Sequence, residues 1–146
     1  MRIDPAGEIS YRLRLAELYL KDAESALERG DFRAVVASSQ LSAENAAKAV
    51  IAVFRVPSWS HDPSPELREL REQVPEAVRA LLDELADIAE ELAPEQDRTT
   101  YGEPTRGLTP WDIYSEEDAR RALERARRAL ANARVILKAL GQEPPS

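Results

Sequence analysis

Four long stretches of this chain repeat apolar residues at intervals of three and four, and none alternates with period two. That spacing matches one face of an α-helix and argues against a sheet. In "EISYRLRLAELYLKDAESALERG" the repeat is Ile9, Leu13, Ala16, Leu20, Ala23 and Leu27, with Gly30 as the stop. Asp31 sits where an N-cap belongs, and "FRAVVASSQLSAENAAKAVIAVF" then predicts a second helix to about Phe54, rich in small residues that allow close approach. "RVPSWSHDPSP" must break it, because proline denies a helix its hydrogen bond. "PELRELREQ" gives at most a short helix. Pro75 opens a third long one, whose inner face is Val78, Leu81, Leu82, Leu85, Ile88 and Leu92. After Pro94 the stretch "EQDRTTYGEPTRGLTPWDIY" predicts a long loop. Ser115, followed by three acids, caps the last helix, which runs to about Leu140 with Ala119, Ala122, Leu123, Ala126, Leu130, Ala133 and Leu137 inward. The expected architecture is an all-α, up-and-down four-helix bundle with one additional short helix, a single domain over 1–146 with its core at about 8–140.

Composition narrows the chemistry. The chain has no cysteine and one histidine, which removes thiolate catalysis and the usual zinc sites, so no metal and no cofactor is expected. No apolar run reaches the ~20 residues that cross a bilayer, and "MRIDPAGEISYRLR" lacks the apolar centre of a signal peptide. A soluble, cytoplasmic protein with no membrane contact is the expectation. A net charge of −7 argues against tight binding to bulk nucleic acid. One region runs the other way: from Ala119 to Lys138 seven basic residues meet one acid, Glu124. Such a face suits an acidic partner or RNA, or is simply a solvated helix surface.

Gln40, Glu44 and Lys48 form a polar line along the alanine-rich second helix, each within about 40° of one line. Either the line faces solvent, or it faces inward and Glu44 needs a cation, since an unpaired buried carboxylate is costly. Arg98 is the candidate cation. The expected result is a polar seam in which Glu44 and Lys48 link the second helix to Arg98, although Asp97 is an equally available structural partner for that arginine.

The order of these residues, "SSQLSAENAAKAVIAVF", then "SHD", then "DRTTYG", resembles the HEPN family of small all-helical prokaryotic domains. The resemblance spans the chain and rests on Gln40, Glu44, Lys48, His61, Arg98 and Tyr101. It implies a five-helix bundle, usually a homodimer, often encoded beside a small nucleotidyltransferase with which it forms a toxin–antitoxin pair. Many members are metal-independent ribonucleases that carry an arginine followed, after four to six residues, by a histidine. Counted from Arg98, those places hold Glu103, Pro104 and Thr105, so that histidine is missing. Metal-free RNA cleavage needs a base for the 2′-hydroxyl and a cation for the charged phosphorane. Arg98 suits the second role. The first is open to His61, or to Tyr101, whose ordinary pKa of about 10 makes it a weak base near neutral pH.

His61 also has a plainer role, as a surface residue beside an Asp62 that caps the following short helix. Trp59 and Trp111 lie in the two proline-rich loops, where they either pack over the bundle end or stack on unpaired bases. No Gly-rich phosphate loop, Ser-His-acid set or paired Glu-x-x-His motif is present. Two readings remain. One is a noncatalytic or weakly active dimeric helical module that binds a nucleotide, RNA or a nucleotidyltransferase partner through the bundle end holding Arg98, Tyr101 and His61, with Asp97, Lys48 and Glu44 as further binding residues. The other is a ribonuclease toxin in which Arg98 and His61 are catalytic.

Overall fold

One helix is buried on all sides over half its length, and the others are arranged around it. The computed structural model describes residues 5–142. Its α-helices are α1 (Pro5–Glu28), α2 (Phe32–Ile51), α3 (Ser64–Glu69), α4 (Arg79–Leu92), α5 (Glu95–Tyr101) and α6 (Glu116–Ala139). Single 3-10 turns lie at Arg71–Gln73, Glu76–Val78 and Pro104–Arg106. No strand occurs among the described residues, and none of their helices is long and apolar enough to cross a membrane. The four long helices are α1, α2, α4 and α6, as the apolar spacing predicts.

The buried helix is α2, in which every residue from Ser42 to Ile51 is covered. A helix shielded on every face must sit at the centre of its bundle. Its small residues make this possible: Ala43, Ala46, Ala47 and Ala49 bring the flanking α1 and α6 close enough for Ser42 Oγ to donate to the Ala16 carbonyl at 2.7 Å. The main core combines this helix with Leu82, Leu85 and Ile88 of α4 and Leu130, Ile136 and Leu137 of α6.

Capping agrees with the sequence. Asp31 accepts from the Ala34 N–H at 3.2 Å, and Ser115 forms a capping box with Asp118. Asp62 accepts from the backbone N–H and hydroxyl of Ser64, the first residue of α3. One element departs from expectation: residues 95–101, expected as loop, form α5. Pro94 sets a helical φ of −61° ahead of it, Glu95 and Asp97 occupy its first turn, and the hydroxyls of Thr99 and Thr100 donate back to the carbonyls of Glu95 and Gln96. Gly102, at φ +70°, ends it in a conformation that only glycine adopts readily, with no room for a Cβ against the Leu108 carbonyl.

Candidate functional site

The polar line of α2 lies inside the protein. Glu44 is 6% exposed and Lys48 3%. The Glu44 carboxylate accepts from Gln40 Nε2 at 2.9 Å on one oxygen and from Lys48 Nζ at 3.1 Å on the other. The first oxygen also meets His61 Nδ1 at 2.9 Å. His61 itself is half exposed, so it covers the buried carboxylate from the loop after α2. The seam therefore exists, but the expected link to Arg98 does not: the local i, i+4 partner Lys48 supplies the cation. The Gln40 amide oxygen and the Ser39 hydroxyl are buried without a partner.

Arg98 belongs to a second polar centre, at the C-terminal end of α5. Its guanidinium donates to Glu95 at 2.6 Å and to Glu103 at 3.0 Å, and lies 5.6 Å from the ring centre of Tyr114. Tyr114 donates in turn to the second oxygen of Glu95. Burial opposes the Arg98 cation, but the hydrogen bonds to Glu103 and Glu95 outweigh it and raise its pKa above the ordinary value. Glu103 is held below the usual carboxylate range by Arg98 and Arg106. Burial, reinforced by Glu95, pushes the Tyr114 hydroxyl well above the usual phenol range. The group is a closed set of complementary partners, and neither tyrosine nor arginine is set up as a base.

A cleft of about 210 Å³ opens beside this centre, with Val36, Leu92 and Ile113 as its apolar wall and Arg98, Asp118 and Arg121 at its polar side. Next to it, Arg33 at the start of α2 donates to the Thr99 carbonyl at 2.9 Å, while its guanidinium carbon sits 5.1 Å from the ring centre of Trp111. Trp111 is 70% exposed and Tyr101 68%. The same end of the bundle thus carries two accessible aromatic rings and two partly buried arginines.

The sequence-derived site residues fall into two groups. Glu44, Lys48 and His61 come together, and Arg98 stands near Asp97 and Tyr101 on α5. The groups do not meet. Arg98 lies level with Arg33 and Val36 on α2, and His61 with Glu44, which at 1.5 Å per residue is a separation of about 12–16 Å along the helix. Asp97 is exposed and leaves the pairing of Arg98 to Glu95 and Glu103. Trp59 is 96% exposed, so the packing role is wrong for it. Sequence reasoning missed Glu95, Glu103, Tyr114 and Arg33. Glu95 and Glu103 stand three residues before and five after Arg98, a spacing that offered the clue; Arg33 carries no local signal.

The basic run of α6 is also reassigned. Arg121 and Arg125 meet Glu91, Arg128 meets Glu84, Arg127 meets Glu24, Arg134 meets Glu17, and Arg120 meets Glu116. Five of these six pairs reach across to α1 or α4. The run is one side of a set of surface ion pairs and, among the described residues, leaves only Lys138 of the seven without a carboxylate.

A family model described as HEPN domain matches residues 9–136 of the chain. Among solved structures, the crystal structure of TT1696 from Thermus thermophilus superposes with a TM-score of 0.70 at 26% identity, covering 88% of this chain and 98% of that one. No curated protein matches the chain.

Proposed function

We propose that this chain, which belongs to the HEPN domain family, is a helical binding module that takes unpaired nucleobases of RNA or a nucleotide at the α5 end of the bundle. The observation that carries the reading is Trp111: one side of its ring is backed by Arg33 and 70% of the residue is open to solvent. An aromatic face in that state stacks on any base without reading sequence. Tyr101, two residues beyond the Thr99 that Arg33 grips, supplies a second exposed ring. The adjoining cleft is smaller than the ~300 Å³ at which pockets for whole ligands begin, so it suits one group of a ligand, with the base outside on the rings. On this reading the protein works as a homodimer beside a nucleotidyltransferase partner, as is usual in the family.

Cleavage finds less support than binding. A ribonuclease needs a base beside the arginine, and the one histidine lies about 12–16 Å away along α2, engaged with Glu44. Arg98 would also have to release Glu95 or Glu103 to face a phosphorane.

The test combines binding and cutting. A fluorescein-labelled single-stranded RNA and a tRNA pool are incubated with the protein in EDTA, and affinity for the same RNA and for a nucleoside triphosphate is read by anisotropy and by competition. The expected result is binding without cutting, weakened by Trp111→Ala by roughly 5- to 150-fold, the equivalent of 1–3 kcal/mol per stacked base. Cutting abolished by both Arg98→Ala and His61→Ala would establish the ribonuclease instead. Absence of binding to either ligand would end the proposal.

A further inference from the structure

Nearly every exposed cation among the described residues is paired with a carboxylate, and the exposed exceptions cluster, whereas the part-buried Arg33, also without a carboxylate, lies apart at the α5 end. Arg14 and Lys21 of α1 and Lys138 of α6 are exposed and have no acidic partner. On α1 the two cations alternate with Tyr11 and Leu18: the order 11, 14, 18, 21 steps by three, four and three residues, which places all four within about 80° of one line. Tyr11 is 57% exposed and Leu18 43%, although the opposite face of the same helix supplies Ile9, Leu13 and Ala16 to the core.

The α6 residues join this strip by register. Glu17 pairs with Arg134 and Glu24 with Arg127, each at 3.1 Å, so the two helices run antiparallel and one residue forward on α1 matches one back on α6. That register sets Val135 level with Ala16 and Lys138 level with Leu13. Val135 is 49% exposed. One face therefore gathers three cations without carboxylates and three of the large exposed apolar side chains. Against them stand Asp22 and Glu28, exposed acids at its C-terminal border, while Glu17 and Glu24 on its α6 side are each held by an α6 arginine.

We propose that this α1–α6 face is the docking surface for an acidic amphipathic helix of a partner protein. Spacing of three and four is what a facing helix reads, with apolar residues meeting Tyr11 and Leu18 and carboxylates meeting Arg14 and Lys21. Charge complementarity selects the occupant. The chain carries −7 overall, so this patch is a local reversal of sign that steers an acidic segment to it. A second copy docked through the same face would oppose its own cations. Phosphate backbones leave Leu18 and Val135 with nothing to bury against, and a protein of this net charge is repelled by an anionic bilayer.

The probe is a labelled three-heptad helical peptide with Leu and Glu at its facing positions, set against a twin with Lys for Glu, both titrated with the full chain by fluorescence anisotropy. The Glu peptide should bind at least about 10-fold more tightly than its twin, and weaken as salt rises. Leu18→Glu should lower its affinity by about 10-fold or more. Arg14→Glu with Lys21→Glu should invert the preference so that the Lys peptide wins. All are exposed substitutions, and circular dichroism verifies the fold. Equal binding of the two peptides, no binding, or a preference that survives charge reversal overturns the proposal. So does a dimer in sedimentation that Tyr11→Glu dissociates, or binding to single-stranded RNA or anionic vesicles that Arg14→Glu abolishes, since each assigns the face to another occupant.

Discussion

Replacing Glu44 by alanine should cost more than replacing the whole polar line by hydrocarbon. The carboxylate and the ammonium of Lys48 have side chains only 7% and 4% exposed, so both charges are out of water. Removing Glu44 strands the Lys48 cation and leaves Gln40 Nε2 without its acceptor. Breaking one side of a buried pair typically costs about 3–5 kcal/mol, against a total stability of about 5–15 kcal/mol for a domain. At about 2.1 cal/mol/K per residue, a chain of 146 residues has an unfolding entropy near 0.3 kcal/mol/K, so the midpoint should fall by roughly 10–16 °C.

The triple variant Gln40→Leu, Glu44→Leu, Lys48→Met removes every polar group on the line and keeps similar volume. Desolvated ion pairs return little net energy, so its cost should be well below that of Glu44→Ala, about 2 kcal/mol or less, with His61 free to turn to water. Urea denaturation followed by far-UV circular dichroism measures both. A Glu44→Ala cost under about 0.5 kcal/mol would falsify the burial argument, because exposed pairs contribute that little. A triple variant less stable than Glu44→Ala would show that the seam is a net source of stability.

Other consequences follow from the two polar centres and the surface ion pairs. Hydrogen bonds from Arg128 and Asn132 depress the Glu84 carboxyl in the folded state, so its contribution is present above the ordinary carboxylate pKa of about 4.3 and is lost as acid titrates below it; a Glu84→Gln variant should show a flatter acid limb of stability against pH. Burial raises the Tyr114 hydroxyl, so the unfolded chain deprotonates first and stability falls as pH rises above about 10; Tyr114→Phe should lose that alkaline sensitivity in urea melts at pH 9–11.5, taken as approximate limits. Because Arg98 and His61 share no partner, the stability effects of Arg98→Ala and His61→Ala should add to within about 0.5 kcal/mol, and a larger coupling would place them in one site.

α1, α4 and α6 are legible in the sequence because each buries a single stripe, and the stripe has the period of the helix. α5 is not, since seven residues hold barely two turns, and "RTTYG" has the composition of a loop. Its helicity comes from Pro94 ahead of it, from hydroxyls that bond back to the chain, and from Arg33, which holds the Thr99 carbonyl from a different helix. That last contact lies 66 residues away in sequence and has no local trace. The polar line at Gln40, Glu44 and Lys48 is legible as a line, but its burial is decided by the helices packed on every side of α2. Charge is read least well. Seven basic residues on α6 look like an exposed field, yet acids of α1 and α4 cancel most of it, while two of the three exposed cations that stay unpaired, Arg14 and Lys21, sit in the unremarkable stretch "YRLRLAELYLK".

The closed network around Arg98 gains a purpose on the proposed reading. An exposed aromatic ring binds weakly when its loop must be ordered first, because each immobilised side chain costs about 0.5–1.5 kcal/mol of the contact it makes. Here the segment from Gly102 to Tyr114 is fastened at several points. Glu103 holds Arg98 and pairs by backbone with Leu108, Gly102 packs against Leu108 without space for a side chain, Asp112 takes the N–H and hydroxyl of Thr109, and Tyr114 bonds to Glu95. Trp111 stands between those fastenings with Arg33 behind its ring. The cost of ordering is therefore met by folding rather than by binding. The arginine that the family resemblance nominates for chemistry is better understood as the residue that keeps the stacking surface in place.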